Sequence, residues 1–319
     1  MKKGLLSLAL AGMLNLSCSA STSNLASSPS SIPSSSAPST PDSTSKKLPS
    51  SQEQKSEPEK PTPNPKEEQM KKVFAGLVER VHDLMAEQWE KLGISYEGMK
   101  FSVQLCPADT PDIFIAVYSS DKNMLCLDPK LIQDVSLDVK DKNYNTLMET
   151  IRHELGHVYT DQRSEQLGNG DWPEYKTFDA PLKKWGTIIN WHENAQFEER
   201  LFARKTLRTY QERNKVVLTK ALLLRMISEG ISEYFRGFGK EPDEIKDIAF
   251  PQSVDELLPL ETTLWAYPLG YHLVKPILDA YGAKGIDYLI THLPESTGNM
   301  YEDAIRYREQ AMEELEKTK

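Results

Sequence analysis

Apolar residues recur at helical spacing in residues 67–92. They stand three or four positions apart, at Val73, Leu77, Val81, Leu84 and Met85. This spacing places them on one face of a helix, and the following Gly93 is a typical residue to end it. The pattern therefore predicts a first helix over 67–92.

The period of the pattern changes after this helix. Residues 101–106 alternate between apolar and polar side chains, and 113–118 and 124–127 are short, mainly apolar runs. The polar sequence 119–123 predicts a turn between the last two runs. We expect these three strands to form a small antiparallel sheet.

From Thr146 onward almost every segment has a helical pattern, apart from a polar loop with Gly and Pro at 168–181. One helix, a few strands and then a long run of helices predict an α+β fold with a mainly helical C-terminal half.

Composition sets the first 66 residues apart from the rest. Residues 19–66 hold sixteen Ser and nine of the chain's 20 Pro, with no Trp, Tyr or Phe. Such a segment cannot bury enough apolar surface to offset its chain entropy, so a disordered tether is expected here. The remaining residues, 67–319, are enough for one folded domain with a sizeable core.

The extreme N-terminus has the pattern of an export signal. Lys2 and Lys3 precede a short apolar run at 5–16, which is followed by Ser17 and Cys18. This arrangement resembles a bacterial lipoprotein signal. The resemblance implies that residues 1–17 are a signal peptide and that Cys18 becomes the lipid-modified N-terminus. It also implies that 18–66 tether the domain to the extracytoplasmic side of a cell-envelope membrane.

Charge and the remaining cysteines narrow the picture further. A net charge of −9 argues against non-specific nucleic-acid binding, which needs a basic surface. The mixed-charge run 198–208 predicts a solvated helix face. In an exported chain, Cys106 and Cys126 form either a disulfide or two buried free thiols. They lie in the predicted strands 101–106 and 124–127, with the predicted strand 113–118 between them in the sequence.

The candidate chemistry lies in a helix predicted to begin at Thr146. Thr146 and Glu149 have the spacing of a capping box. At 100° per residue the apolar positions Leu147, Ile151, Leu155 and Val158 share one face. His153 and His157 lie about 40° apart on another face, with Glu154 beside the first of them.

Two imidazoles on one helical turn can bind the same ion. A catalytic zinc takes three protein ligands and keeps one position for water, and a neighbouring carboxylate such as Glu154 can accept a proton from that water. The alternative is two core or solvated histidines on a helix. The order strand 124–127, loop and helix also suits a zinc peptidase in which an edge strand pairs with an extended substrate.

Two histidines leave such a zinc ion one ligand short, and the downstream segment Ile227-Ser-Glu-Gly-Ile-Ser-Glu-Tyr234 contains further carboxylates. Together with the His-Glu-x-x-His sequence, it resembles the gluzincin metallopeptidases, in particular the aminopeptidase N-like and peptidase-MA-like enzymes. The resemblance implies a zincin-like fold and one zinc ion per chain, with Glu229 as third ligand. In this chain 72 residues separate His157 from Glu229, so an insertion of two helices is expected.

That insertion contains rival ligands, because Glu193 and Glu198 follow Trp191-His192. Either of them remains an alternative to Glu229. Glu233, one turn after Glu229, is predicted to be a supporting or solvated residue.

A third segment, Trp265-Ala-Tyr-Pro-Leu-Gly270-Tyr-His272, looks like the Tyr-x-x-Gly helix start of the same enzymes. The resemblance gives Tyr267 the role of stabilising the oxyanion, with His272 as an alternative donor. Simple packing of the aromatic ring at a helix start is the competing interpretation. The chain has no Gly-Ala-Met-Glu-Asn exopeptidase signature, so an endopeptidase is the default.

The sequence therefore predicts a zinc-dependent peptidase on a membrane tether, acting on a peptide or protein. The alternative function is a non-catalytic binding or assembly lipoprotein that retains the metallopeptidase fold. The presence of Glu154 favours the enzyme, since a structural zinc site needs no carboxylate next to its ligands. Oligomeric state and substrate specificity are left open.

Overall fold

The computed structural model describes residues 65–95, 99–106, 116–129, 140, 142–168, 174–239 and 266–319. Within these ranges the side chains of residues 88, 174–180, 183, 193 and 198 are not part of the description. The predicted signal peptide, the anchor Cys18 and all but the end of the tether lie outside these residues.

Helices make up most of the described chain. They are α1 (Pro65–Trp89), α2 (Lys142–Gln166), α3 (Glu174–Asn194), α4 (Phe197–Gly237), α5 (Ala266–Tyr281), α6 (Ala283–Thr291) and α7 (Met300–Glu316). A 3₁₀ turn, Glu90–Leu92, continues α1, and Gly93 ends it in the left-handed conformation, φ 71°. The first predicted helix is therefore confirmed, together with its glycine stop. No described helix combines the length and the apolar character that a membrane span requires.

The sheet has three described strands, β1 (Ser102–Leu105), β2 (Ala116–Ser119) and β3 (Met124–Leu127), in the order β1-β3-β2. β2 pairs with β3 in antiparallel fashion across the tight turn, but β1 pairs with β3 in parallel. The prediction of a purely antiparallel sheet is therefore wrong. The short turn makes β2 and β3 neighbours. β1 pairs with the other side of β3, so β3 is the central strand.

A disulfide links the end of β1 to β3. Cys106 and Cys126 are bonded, with their Cα atoms 4.9 Å apart. The parallel register sets Gln104 opposite Cys126, so Cys106 is the diagonal neighbour on the same face of the sheet. The interpretation of the two cysteines as free thiols does not apply to this structure.

Two of the predicted element boundaries are wrong. Helix α2 begins at Lys142 rather than at Thr146, whose hydroxyl donates to the Lys142 carbonyl one turn back instead of capping the helix. The predicted loop 168–181 overlaps α3, which begins at Glu174 and contains Pro181. The expected two-helix insertion consists of α3 and the first part of α4, because Glu229 lies on α4 itself.

The core is built where α2, α4 and α5 pack together. The predicted apolar face of α2 is fully covered, with Leu147, Ile151, Leu155 and Val158 each at most 1 % exposed. Trp89 at the end of α1 stacks on Phe235 of α4, their ring centroids 4.2 Å apart. The side chains that carry the candidate chemistry lie within this packed region.

Candidate metal centre

A glycine brings α2 close to α4. Gly156 lies between His153 and His157, and a Cβ atom placed on it would be 2.7 Å from the Cα of Ser232. Only a residue without a side chain fits at such a distance. The two histidines are therefore held against the part of α4 that carries Glu229.

A second close crossing joins α4 to α5. A Cβ atom on Gly230 would lie 2.2 Å from the carbonyl oxygen of Gly270, and one on Gly270 would lie 2.1 Å from the carbonyl oxygen of Met226. The backbones are thus in direct contact at this pair of glycines. Because Glu229 precedes one glycine and Tyr267 is one turn before the other, the crossing brings these two side chains into the same region.

Three ligand atoms meet where the helices converge. His153 Nε2 is 3.2 Å from His157 Nε2, and Glu229 Oε2 is 3.3 Å from the first and 3.4 Å from the second. The three side chains form the one group of this kind found among the described residues. His153 and Glu229 are buried, whereas the side chain of His157 is 22 % exposed.

This triangle has the dimensions of a metal site. Ligands bound at 2.0–2.1 Å to a tetrahedral zinc ion are about 3.3 Å from one another, as these three atoms are. Glu229 Oε2 is buried and faces the two Nε2 atoms without a well-aligned hydrogen bond to either, as expected of three atoms that can share one cation. The group could therefore hold a metal ion, and its two imidazoles and one carboxylate suit several divalent transition metals.

The second ring nitrogen of each histidine faces a polar side chain outside the triangle. His153 Nδ1 lies 2.9 Å from Glu233 Oε1, and His157 Nδ1 lies 3.4 Å from the hydroxyl of Ser228. Such partners fix the orientation of ligand imidazoles and leave Nε2 for the ion. Of the two predictions for Glu233, the solvated one is wrong, because this side chain is buried beside His153.

Glu233 is itself held by a wider polar network. Arg236 Nη1 is 3.1 Å from Glu233 Oε2, and Arg236 Nη2 is 3.3 Å from Glu149 on α2. Arg152 donates to the backbone carbonyl of Arg236 at 3.2 Å. Glu149, which sequence spacing placed in a capping box, thus helps to join α2 to α4.

The electrostatics of the group favour a bound cation. Burial alone would lower the pKa of His153, but the carboxylates of Glu229 and Glu233 outweigh it and raise this pKa to about 10. Burial likewise opposes ionisation of Glu229, but the two imidazoles hold its pKa well below the usual range. A proton on His153 compensates these carboxylates in part, and a divalent cation on the same atoms would compensate them more fully.

Glu154 is next to the triangle without belonging to it. Its side chain is buried, and its Oε2 accepts a hydrogen bond of 2.7 Å from the backbone amide of Tyr118 on β2. Burial raises the pKa of Glu154, while the two imidazoles and the Tyr118 amide act in the opposite direction. One carboxylate oxygen is thus fixed by the edge strand.

Tyr267 lies over the other side of the site. Its ring centroid is 5.3 Å from that of His153, and its side chain is buried. Burial, reinforced by nearby Glu229 and Glu154, raises the pKa of Tyr267 well above 10. The hydroxyl therefore stays protonated and can donate a hydrogen bond. His272 is five residues further on, about 140° around α5 from Tyr267.

The rival ligands belong to another part of the molecule. Glu198 is on the same helix as Glu229, 31 residues earlier, which is about 46 Å along a straight helix. Glu193 is at the end of α3, one short connection away from the start of α4. Backbone positions this far away are out of reach of the triangle, so Glu229 is the carboxylate that the fold brings to His153 and His157.

Sequence reasoning missed the contribution of Tyr118. It acts through its backbone amide, which any residue type except proline would supply, so no side-chain pattern identifies it. Ser228 was missed as well, although it directly precedes Glu229 in the segment 227–234.

Comparisons with known proteins give no independent assignment, because no family model, no curated protein and no solved structure matches this chain.

Proposed function

We propose that this chain is a zinc-dependent peptidase, with His153, His157 and Glu229 as metal ligands and Glu154 as general base. The observation that carries the proposal is the triangle of ligand atoms 3.2, 3.3 and 3.4 Å apart with a buried carboxylate beside it. No fourth side chain of the described residues completes the group, which favours a catalytic site over a closed structural one.

Zinc at this site supplies a bound water whose pKa is lowered toward neutral and a positive charge that polarises a substrate carbonyl. The remaining chemistry falls to the side chains. The Tyr118 amide fixes Oε2 of Glu154, so the other oxygen is the one that takes a proton from the attacking water. The same oxygen then gives that proton to the leaving amine.

Tyr267 takes the part of the oxyanion donor. Attack on a peptide carbonyl places negative charge on its oxygen, and a preorganised hydroxyl aimed at that charge stabilises the transition state. Tyr267 is buried beside His153 with its phenol protonated, which suits this role. His272, about 140° around α5 from Tyr267, stays the alternative donor.

The sheet provides a place for an extended substrate. β2 is at the edge of the three described strands, whose order is β1-β3-β2, and the backbone amide of its Tyr118 donates to Glu154. A peptide that lies along an edge strand is held by main-chain hydrogen bonds, largely without regard to its sequence. Substrate lying along β2 would therefore pass directly by the general base.

Cleavage of an unfolded protein by the purified chain, with and without a chelator, tests this function. The chain should produce fragments that disappear on chelation and return with zinc. Glu154→Gln should slow cleavage by about 10²- to 10⁴-fold while the bound zinc is retained. Glu165→Gln, an exposed carboxylate on the same helix, is the matched control and should cleave normally.

A Glu154→Gln variant that cleaves at the normal rate would remove Glu154 from the mechanism. Full zinc occupancy without cleavage of any of a broad set of unfolded substrates would instead support the alternative of a metal-containing binding lipoprotein.

A further inference from the structure

The first 24 residues of α4 form a surface unlike the rest of the molecule. Eight large apolar side chains are exposed among the described residues, and five of them are on this stretch: Phe197, Leu201, Phe202, Val216 and Val217. The most exposed are Phe197 at 84 %, Phe202 at 64 % and Leu201 at 63 %. Exposure of several large apolar residues together indicates an interaction surface.

The same stretch is basic in an acidic protein. Residues 197–220 contain seven Lys and Arg and three Glu, whereas the whole chain has a net charge of −9. Arg204, Lys205 and Arg208 are all exposed. No described carboxylate forms a salt bridge with any of these three.

Six of the apolar and basic residues lie on one side of the helix. At 100° per residue, Phe197, Leu201, Phe202, Arg204, Lys205 and Arg208 fall within an arc of about 160°, which also includes the position of Glu198. We call these six residues the basic-apolar face. Ala203 and Leu207, which are buried, fall on the opposite side of the helix. The face therefore points away from the protein core.

An aromatic residue of the preceding helix adjoins this face. Trp191 of α3 contacts the ring of Phe202 edge-on, with centroids 5.8 Å apart, and its indole nitrogen donates to Glu199 at 2.8 Å. Aromatic side chains mixed with Lys and Arg are typical of helices that lie in the headgroup region of a bilayer.

We propose that the basic-apolar face docks on a membrane surface rich in anionic lipid. Phe197, Leu201 and Phe202 enter the headgroup region, while Arg204, Lys205 and Arg208 pair with lipid phosphates. Charge complementarity favours this partner, because an acidic protein presents a basic surface here. The proposal is independent of the metal centre, since Phe202 is 27 residues from Glu229, about 40 Å along α4.

Vesicle flotation of the full chain, with Cys18→Ser in every protein so that no lipid is attached, tests the proposal. Phosphatidylcholine vesicles are used with and without phosphatidylglycerol. The parent chain should bind the anionic vesicles at least about tenfold more tightly than the Arg204→Glu, Lys205→Glu, Arg208→Glu triple variant. A Phe197→Ser, Leu201→Ser, Phe202→Ser triple variant should lose affinity as well. Any contribution from residues 1–64 is the same in all proteins.

The matched control changes the same amount of charge elsewhere. Lys72, Lys91 and Lys284 are exposed, and their replacement by Glu should leave vesicle binding close to that of the parent chain. Equal losses in this control and in the test variant would overturn the proposal, because net charge alone would then explain binding.

Trp191 gives a second readout that is specific to this face. Lipids brominated on their acyl chains should quench part of the tryptophan fluorescence of the parent chain, and this part should vanish in Trp191→Phe. Binding to vesicles without quenching of Trp191 would overturn the proposal. So would a change of oligomeric state in the Ser triple variant with unchanged vesicle affinity, since a second copy of the chain would then be the partner.

Discussion

The two halves of helix α4 are opposites, although they belong to one continuous helix. In the second half, 221–237, every residue from 221 to 235 is buried except Ser228, and the buried set includes the charged Glu229 and Glu233. In the first half, 197–220, a narrow stripe is buried and large apolar residues face outward. The second half buries polar groups, and the first half exposes apolar ones.

Both departures from ordinary burial carry functional information. A buried charge is costly unless it has a partner, so Glu229 and Glu233 point to the candidate metal centre, where they lie beside His153. An exposed apolar patch is equally informative, whereas a buried leucine or a solvated lysine is not. The candidate metal centre and the proposed docking face thus lie about 40 Å apart on the same helix.

The largest expected difference concerns metal binding. Glu229→Ala should lower zinc affinity by more than the 10- to 100-fold that loss of a supporting residue costs, because it removes a ligand. Glu212→Ala, an exposed carboxylate of the first half, should leave the affinity unchanged. Competition with a chromophoric chelator measures both. Equal affinities for the two variants would show that Glu229 is not a ligand.

Glycine substitutions should change the free energy of unfolding in opposite directions. In Gly230→Ala the new Cβ meets the Gly270 backbone, which should cost about 3 kcal/mol and separate the helices that form the site. Gly186→Ala in α3 has open space and should gain about 0.5–1 kcal/mol through helix propensity. Urea unfolding distinguishes the two signs, and a stabilised Gly230→Ala would disprove the close crossing.

A smaller effect is expected for the residue that orients His153. Glu233→Gln should lower zinc affinity about 10- to 100-fold, because the amide is a weaker partner for the His153 ring than a carboxylate. Glu233→Ala should lower it further. The same chelator competition measures both variants. A zinc affinity equal to that of the parent protein would show that Glu233 pairs with Arg236 but does not support His153 as a ligand.

The smallest effect is expected on the exposed side of the first half. Phe197→Ser should change the free energy of unfolding by no more than about 0.5 kcal/mol, because this side chain is 84 % exposed and contributes little to the core. Urea unfolding measures the difference. A loss of about 2 kcal/mol or more in the free energy of unfolding is typical of truncating a core residue. Such a loss would mean that other parts of the protein cover Phe197.

The parts of the site that the sequence revealed depend on local periodicity. His153 and His157 are four residues apart on a helix, so their shared face follows from helix geometry alone. Glu229 and Tyr267 were predicted through the family resemblance, whose two motifs each contain a glycine. The structure gives these glycines a physical role, since Gly230 and Gly270 allow the backbones of α4 and α5 to touch.

The parts that the sequence did not reveal depend on contacts between distant segments. The parallel pairing of β1 with β3 is decided by how the sheet assembles, which the alternation within each strand does not encode. The Tyr118 amide that holds Glu154 has no side-chain signature. Thr146 and Glu149 have the spacing of a capping box but do not form one. The Thr146 hydroxyl donates to the Lys142 carbonyl, and Glu149 pairs with Arg236.

The most direct test of the central claim is a crystal structure of the zinc-loaded protein with anomalous data at the zinc edge. One ion per chain should lie within about 2.0–2.2 Å of His153 Nε2, His157 Nε2 and a Glu229 oxygen, with a water in the remaining position near Glu154. An ion bound elsewhere, or one closed off by a fourth protein ligand, would contradict the proposed catalytic centre.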